Sequence, residues 1–224
     1  MENKLKNFID PLLFIDFFGE DLENLARLTD FLNSCFSEYE ENKLKLNNAI
    51  YLNVDQNPSE ILDRAVSFVF TAKNENDGKT NYIEVQLINS ISESFNERVL
   101  HYYNVNALKV WEEDIENYRP ELSPYRLINI INCDTSLSDN IINRYQFKEI
   151  TTGKVGDEAF DLWFINVANW LKKVPSIKRG EFSRFDEWLN MLTQTYSEQI
   201  FKIVKINPQG DKTVINPLSF SKSQ

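Results

Sequence analysis

The chain has 224 residues, of which 42% are hydrophobic and 13% aromatic, a composition that predicts a folded domain with a sizeable core and excludes a largely disordered chain. Its formal net charge of −10 disfavours strong nonspecific binding to nucleic acid, because phosphate affinity depends on basic side chains that displace counterions. Two cysteines and one histidine exclude a disulfide-dense scaffold, a cysteine-based zinc site and most nucleophile–histidine catalytic arrangements.

The first predicted element is an amphipathic helix over residues 21–36. Its apolar positions recur every three or four residues, at Leu22, Leu25, Leu28, Leu32 and Cys35. A polar connector over residues 38–48 is expected to follow. Strands are then predicted at 49–54 and 66–73, where Val, Ile and Phe are dense.

Residues 74–78 predict a tight turn, because the segment ends in Asp-Gly, and the next strand at 80–88 would then form a hairpin with the strand before it. Ile83, Val85 and Leu87 point to one face of that strand. Glu84 and Gln86 share the other face. A carboxylate on such an apolar strand is expected to be paired or to bind a metal, so Glu84 is the first candidate for function.

A second long helix is predicted from a capping box at residues 94–97 to about Trp111. Its expected apolar positions are Phe95, Val99, Tyr102, Val105 and Leu108. The nearly continuous apolar run at 126–133 predicts an interior strand covered on both faces. Further strands are predicted at 144–151 and 160–167, separated by a turn at 153–156.

A last helix is predicted from Phe185, Trp188, Leu189 and Leu192, which share one face. The order of elements indicates an α/β or α+β fold, with a mixed sheet flanked by helices. We expect a single domain over residues 1–195 and a tail over 196–224. No signal-peptide pattern or apolar run of membrane-spanning length is evident, which predicts a cytoplasmic protein without membrane contact.

Several stretches carry a resemblance to one family. They are residues 10–19, 30–33, Gly78 followed by 83–86, 97–103, 118–124, 127–131, 163–167 and 188–189. In type and order they resemble the PD-(D/E)XK nuclease family transposases, also called recombination-promoting nucleases. The resemblance extends to about residue 192.

This resemblance implies a PD-(D/E)XK core sheet with extra C-terminal strands and helices. In that family an Asp on the second strand and the Glu of a Glu-x-Gln or Glu-x-Lys motif on the third bind a divalent cation that activates water for DNA cleavage. Glu84 and Gln86 match the second half of the motif, which implies that they are catalytic and that Glu84 is a Mg²⁺ ligand. Two carboxylates suit Mg²⁺, which takes oxygen ligands and retains several waters.

The family's other polar positions have changed in this chain. Its Asp is expected at about Val69 or Phe70, and the nearest upstream acid is Asp63, roughly 20 Å away along an extended strand. Ile15 replaces a Lys, and Asn-Val-Ala-Asn at 166–169 replaces Glu-Leu-Pro-Lys. The resemblance therefore implies a degenerate member that keeps the fold and in which cleavage is impaired or lost.

Two interpretations of Glu84 and Gln86 have about equal weight. They are a residual metal site or a polar pair hydrogen-bonded to the second helix, for instance through Arg98. DNA cleavage would survive if an acid from elsewhere in the chain took the place of the missing Asp. The candidates are Asp16, Glu20, Glu23, Glu93 and Glu97. Surface charge or helix capping is the favoured explanation for each of those acids.

Two classes of binding partner are possible, DNA and another protein. Arg98, Tyr102 and Tyr103 suit a phosphate or a base, although packing of an aromatic helix face on the sheet is favoured. The motif at Glu84 and Gln86 favours DNA as the partner, whereas the −10 charge favours a non-enzymatic role in binding a protein. A homodimer is a further alternative, since related nucleases often act as dimers.

Overall fold

The computed structural model describes residues 7–19, 21–39, 44–55, 64–117, 121–135, 138–155, 160–177 and 181–194. Its elements in chain order are α1 (Pro11–Phe18), α2 (Leu22–Tyr39), β1 (Leu46–Asp55), β2 (Arg64–Asn74), β3 (Thr80–Ile88), α3 (Phe95–Glu116), β4 (Tyr125–Ile131), β5 (Ile142–Tyr145), β6 (Phe160–Asn166), α4 (Val167–Lys173) and α5 (Arg184–Thr193). Asp63, Glu20 and the predicted tail at 196–224 lie outside the described residues.

The six strands form one mixed sheet in the order β1-β2-β3-β4-β6-β5. β1, β2 and β3 pair antiparallel, β3, β4 and β6 pair parallel, and β5 returns antiparallel to β6. This confirms the predicted α/β architecture of a mixed sheet flanked by helices. The central strands β3 and β4 are almost wholly buried, as expected for strands covered on both faces.

The sheet separates two hydrophobic cores. On one face, here called the α2 face, α1, α2, α4 and α5 pack against side chains such as Phe68, Ile83 and Trp163. On the opposite face, the α3 face, α3 packs against Tyr125, Leu127 and side chains of β6. Period-2 alternation along each strand divides its side chains between the two cores.

The hairpin of β2 and β3 confirms the strongest local prediction, and Gly78 adopts a φ of +72° in its turn. The helix at 21–36 and the last helix are also confirmed, as α2 and α5. The connector predicted at 38–48 was wrong in its second half, where β1 begins at Leu46. Leu44 and Leu46 are both buried there, so their burial outweighed the polar composition of the segment.

The structure differs from the sequence prediction at two places in the second half of the chain. The strand predicted at 144–151 is found as β5, which ends at Tyr145, and the described residues beyond it contain one isolated bridge, between Lys148 and Val155. The sequence did not predict α4, which follows β6 without a loop because the Asn166 side chain accepts a hydrogen bond from the Asn169 N–H.

The buried face of α3 agrees with the prediction at Phe95 and Val99, which are both buried, and differs from it further along the helix. Tyr103, Ala107 and Asp114 are fully buried, whereas Val105 and Leu108 are exposed. Asp114 faces inward because its carboxylate accepts hydrogen bonds from the backbone N–H and hydroxyl of Ser123. These hydrogen bonds anchor the end of α3 to the segment that precedes β4.

A buried ionic network lies on the α2 face near the start of β4 and β6. Asp161 is fully buried, and its carboxylate accepts two hydrogen bonds from Arg144, at 2.6 and 3.0 Å. It also forms an ion pair with Arg126, which donates in turn to the Asn81 side chain at 2.9 Å. The Arg144 guanidinium lies 4.7 Å from the centre of the Trp163 ring.

Among the described residues, no helix combines the length and the apolar composition needed to cross a membrane.

Candidate functional site

Glu84 occupies the middle of β3 on the α3 face, and its residue is only 1% exposed. Gln86 lies two residues further along on the same face, as the alternation of the strand predicted, and it is 2% exposed. A carboxylate buried to this degree is stable only where hydrogen bonds or charges replace the water that it has lost. The surroundings of Glu84 therefore decide what it can do.

Five neutral side chains donate hydrogen bonds to the Glu84 carboxylate. Its Oε1 accepts from Ser67 Oγ at 2.6 Å, from Gln86 Nε2 at 2.8 Å and from the Tyr102 hydroxyl at 2.6 Å. Its Oε2 accepts from Asn106 Nδ2 at 3.2 Å and from the Tyr125 hydroxyl. We call these five donors, Ser67, Gln86, Tyr102, Asn106 and Tyr125, the donor cage.

Four separate elements supply the donor cage. Ser67 belongs to β2, Gln86 to β3 and Tyr125 to β4, so three neighbouring strands converge on the carboxylate. Tyr102 and Asn106 come from consecutive turns of α3, since they are four residues apart. Glu84 thereby connects α3 to the centre of the sheet.

The phenol of Tyr125 is held in its neutral form. Burial is the main cause that raises its pKa well above the usual value near 10, and the charge of the adjacent Glu84 carboxylate raises it further. A neutral phenol keeps its proton and can donate it in a hydrogen bond. Tyr125 therefore acts as a permanent donor to Glu84 in the neutral pH range.

The position expected for the family's second acid is apolar in the structure. Val69 pairs directly with Glu84 across β2 and β3, and residues opposite each other on paired strands share a face. Phe70 pairs with Ile83 and is buried in the other core. Ser67, which pairs with Gln86, instead presents a hydroxyl that donates to Glu84.

The acids proposed as replacements do not converge on Glu84 in the described structure. Asp16 and Glu23 belong to α1 and α2, which pack on the opposite face of the sheet. Glu93 and Glu97 lie on the side of α3, but both are exposed. The Cα of Asp55 pairs with that of Ser67, so Asp55 lies on β1, one strand beyond β2, where the family's Asp is expected.

One interpretation of Glu84 and Gln86 was a polar pair that is hydrogen-bonded to α3, for instance through Arg98. The structure has such hydrogen bonds from α3, but other residues of the helix donate them. Tyr102 and Asn106 donate to Glu84, whereas Arg98 donates to the hydroxyl of Ser92. Tyr103 packs inward, as the favoured interpretation of the aromatic face predicted, and its hydroxyl donates to the Tyr125 carbonyl at 2.6 Å.

The other positions that depart from the family pattern have structural roles here. Ile15, where the family resemblance implies a Lys, is buried in the core on the α2 face. Asn166 caps α4, and the Asn169 amide donates to the carbonyls of Ser138 and Asn140 at 2.6 and 3.1 Å. These polar side chains are bound to the chain's own backbone.

A comparison with protein families decides the relationship. A family model described as PD-(D/E)XK nuclease family transposase matches residues 9–216. The chain belongs to this family. Neither the comparison with curated proteins nor that with solved structures gives a match.

Nucleases of the PD-(D/E)XK type typically use divalent metals, and Glu84 could hold Mg²⁺ only through oxygen lone pairs that are free to bind it. Both Glu84 oxygens already accept hydrogen bonds, and a cation needs their lone pairs and repels the donor hydrogens. Val69 offers no ligand opposite. Among the described residues no three His, Cys, Asp or Glu side chains cluster suitably for a metal ion. Among the described residues, the side chains around Glu84 therefore do not fit a two-carboxylate magnesium site.

Sequence reasoning found Glu84 and Gln86 but missed most of the donor cage. The symmetry of the hairpin about its Asp-Gly turn could have placed Ser67 opposite Gln86. The spacing of four residues between Tyr102 and Asn106 was a second signal. Tyr125 gave no local signal, because the register of parallel strands is not fixed by a turn.

Proposed function

We propose that this chain is a member of the PD-(D/E)XK nuclease family transposases that binds duplex DNA and no longer cleaves it. The donor cage around Glu84 supports the loss of cleavage. Membership of a nuclease family supports DNA as the partner. Glu84 acts in this proposal as a structural carboxylate that holds α3 on the sheet.

The chemistry of the donors supports this assignment. A metal-binding carboxylate needs at least one free lone pair directed at the ion, and a second acid to share the charge. Glu84 instead meets three hydroxyl and two amide donors, and an apolar Val69 stands opposite. Such a fully bonded carboxylate stabilises the fold and is a poor metal ligand.

A plasmid-nicking assay tests the loss of cleavage. The full chain is incubated with supercoiled plasmid and either Mg²⁺ or Mn²⁺, and we expect the plasmid to remain supercoiled to the level of a protein-free control. Calorimetry with Mn²⁺ is expected to show no binding at a site that Glu84→Ala removes. Nicking that depends on metal and disappears in Glu84→Ala would overturn the proposal.

Two further variants sharpen that assay. Val69→Asp restores an acid opposite Glu84, and we expect it to remain inactive, because the donor cage still occupies both Glu84 oxygens. Asp55→Asn tests the acid whose Cα pairs with Ser67. If the parent did nick DNA and Asp55→Asn abolished it, the catalytic acid would have moved to β1.

A second candidate function, the binding of a protein partner, is favoured by the outer surface of α3. Leu100, Val105, Leu108 and Ile115 are all exposed along this helix, Ile115 to 65%. A run of exposed apolar side chains on one helix is typical of a protein interface. Together with the −10 charge, this surface suits a protein better than a polyanion.

The simplest form of this second candidate is a homodimer. Analytical sedimentation tests it, because it distinguishes a dimer from a monomer. We expect a dimer that dissociates in Leu108→Glu if the α3 surface pairs with a second copy. A parent chain that sediments as a monomer at micromolar concentration would exclude this form. The exposed Leu12 on α1 provides the matched control Leu12→Glu, which should leave the mass unchanged.

A further inference from the structure

Three helices on the α2 face meet around Ser183, which is the N-cap residue of α5. Its Oγ accepts a hydrogen bond from the Asp186 N–H at 3.1 Å, and Asp186 Oδ2 accepts one from the Ser183 N–H at 3.1 Å, which completes a capping box. Trp170 of α4 donates to Asp186 Oδ1 at 2.8 Å. Ser183 Oγ donates to Oε2 of Glu38, in the last turn of α2, at 2.7 Å. Ser183 and Asp186 therefore connect α5 with both α2 and α4.

Two carboxylate oxygens compete for the single hydrogen of this hydroxyl. Ser183 Oγ lies 2.7 Å from Glu38 Oε2 and 3.0 Å from Asp186 Oδ2, and both are hydrogen-bond distances. A serine hydroxyl carries one hydrogen and can donate to only one of them. When both acids are ionised, the other contact therefore brings a lone pair of Oγ against a negative oxygen. One proton on Glu38 removes this conflict, because Glu38 then donates to Oγ and Oγ donates to Asp186.

No cation balances these two acids in the part of the chain that the structure describes, where neither Glu38 nor Asp186 forms an ion pair with Lys or Arg. Glu38 lines a cavity of about 430 Å³ between α2 and α5. The two cations that line the same cavity pair with other acids, Arg184 with Asp30 and Glu187, and Lys45 with Glu75. The last turn of α2 has no basic residue, and the partial negative charge at a helix C-terminus disfavours a carboxylate there.

The titration of Glu38 agrees with this geometry. Burial and then the charge of Asp186 raise the pKa of the Glu38 carboxyl above its usual value near 4.5, against the opposing effect of the Ser183 hydrogen bond. Burial also raises the pKa of the Cys35 thiol well above its usual value and that of the Tyr39 phenol to about 12. Both of these neighbours on α2 are therefore neutral around pH 7, and Glu38 is the group that takes up a proton as the pH falls.

We infer that Glu38, Ser183 and Asp186 form a proton-dependent link between α2 and α5, in which proton uptake by Glu38 ties the last turn of α2 to the N-cap of α5. In the protonated link, Glu38 donates to Ser183 Oγ and the hydroxyl donates to Asp186 Oδ2. Loss of the proton leaves one of these two contacts without a hydrogen and weakens the attachment of α5. The link lies on the opposite face of the sheet from Glu84 and does not depend on the proposed function.

Urea unfolding of the full chain between about pH 8 and pH 5 tests the link. Because the folded chain holds the Glu38 proton at a higher pH than the unfolded chain, the parent gains stability from this residue as the pH falls toward 4.5. Glu38→Gln carries an amide donor at every pH and does not titrate. We expect Glu38→Gln to have the higher urea midpoint at pH 8 and the parent to approach it as the pH falls. The difference between the two chains removes the contribution of all other acids.

Two controls separate the link from the burial and the charge of Glu38. Glu112→Gln makes the same change at an exposed acid of α3, and its difference from the parent should not depend on pH. Ser183→Gly removes the hydroxyl but keeps a residue that is tolerated at an N-cap. In the Ser183→Gly chain, the pH-dependent difference between Glu and Gln at residue 38 should shrink. Hydrogen exchange at the Glu187 N–H, which donates to the Ser183 carbonyl, reports the N-terminus of α5 directly.

Each outcome of these measurements supports or overturns the link. After correction for the intrinsic exchange rate, protection of the Glu187 N–H should rise as the pH falls in the parent and stay constant in Glu38→Gln. A difference in urea midpoint between the parent and Glu38→Gln that is equal at pH 8 and pH 5 overturns the inference. An undiminished pH-dependent difference in the Ser183→Gly chain also overturns it, since burial of Glu38 alone would then explain the titration.

Discussion

Glu84→Ala should lower the free energy of unfolding by about 3–5 kcal/mol, because it leaves the donor cage without its shared acceptor. Ser67, Gln86 and Tyr125 are buried with Glu84, so water cannot readily replace the carboxylate there. Glu84→Gln keeps the size of the side chain but turns an amide donor toward the cage, and should cost about 2–4 kcal/mol. Denaturant unfolding measures both losses.

The control for Glu84 is an acid on the same helix as two of its donors. Glu112 on α3 is exposed, so Glu112→Ala should change the unfolding free energy by no more than about 0.5 kcal/mol. Tyr102→Phe, which removes one donor and keeps the ring, should cost about 1 kcal/mol. A Glu84→Gln chain that unfolds at the same denaturant concentration as the parent would show that the cage is not structural.

Asp161→Asn should be similarly damaging, with a loss of about 3–5 kcal/mol, because it leaves the guanidinium of Arg126 buried without its counter-charge. Asp161 is fully buried, and Arg126 is only 5% exposed. The amide of Asn could accept one hydrogen bond but carries no charge to balance two arginines. Unfolding in urea, followed by tryptophan fluorescence, reports the change.

A double variant separates the buried charge from simple packing. Replacing Asp161 and Arg126 together, as in Asp161→Leu with Arg126→Met, removes the fully buried ion pair and leaves only Arg144, whose side chain is 25% exposed and can be solvated by water, so it should recover part of the loss. If the double variant were less stable than Asp161→Asn, burial of an unpaired charge would not explain the effect. Asp134→Asn, at an exposed ion pair with Lys172, should change stability by about 0.5 kcal/mol or less.

The fold was predictable from sequence where a local pattern and its burial agree. The hairpin of β2 and β3 follows from its Asp-Gly turn, and α2 follows from leucines at helical spacing. The start of β1 and the short β5 were not predictable, because tertiary contacts decide where those strands begin and end. The buried face of α3 was predicted at Phe95 and Val99 but not further along, because the helix has apolar residues on both faces and the contact of Asp114 with Ser123 depends on the whole fold.

The candidate site was predictable only in part. Burial of Glu84 and Gln86 on one face followed from the period of the strand, and the family resemblance implied that an Asp is lacking at Val69 or Phe70. The donor cage could not be assembled from sequence, because Tyr125 and Asn106 reach Glu84 across 41 and 22 residues of chain. Contacts at such separations depend on strand register and helix rotation, which are properties of the whole fold.

The pairing of Val69 with Glu84 also bears on whether the proposed loss of catalysis is reversible. An acid regained at residue 69 would place a second carboxylate opposite Glu84, with β-carbons about 5 Å apart. The surrounding hydroxyls and amides carry no positive charge to offset the repulsion. An evolutionary return to cleavage would then require several of these donors to change together, so the cage acts as a barrier against reversion by single substitutions.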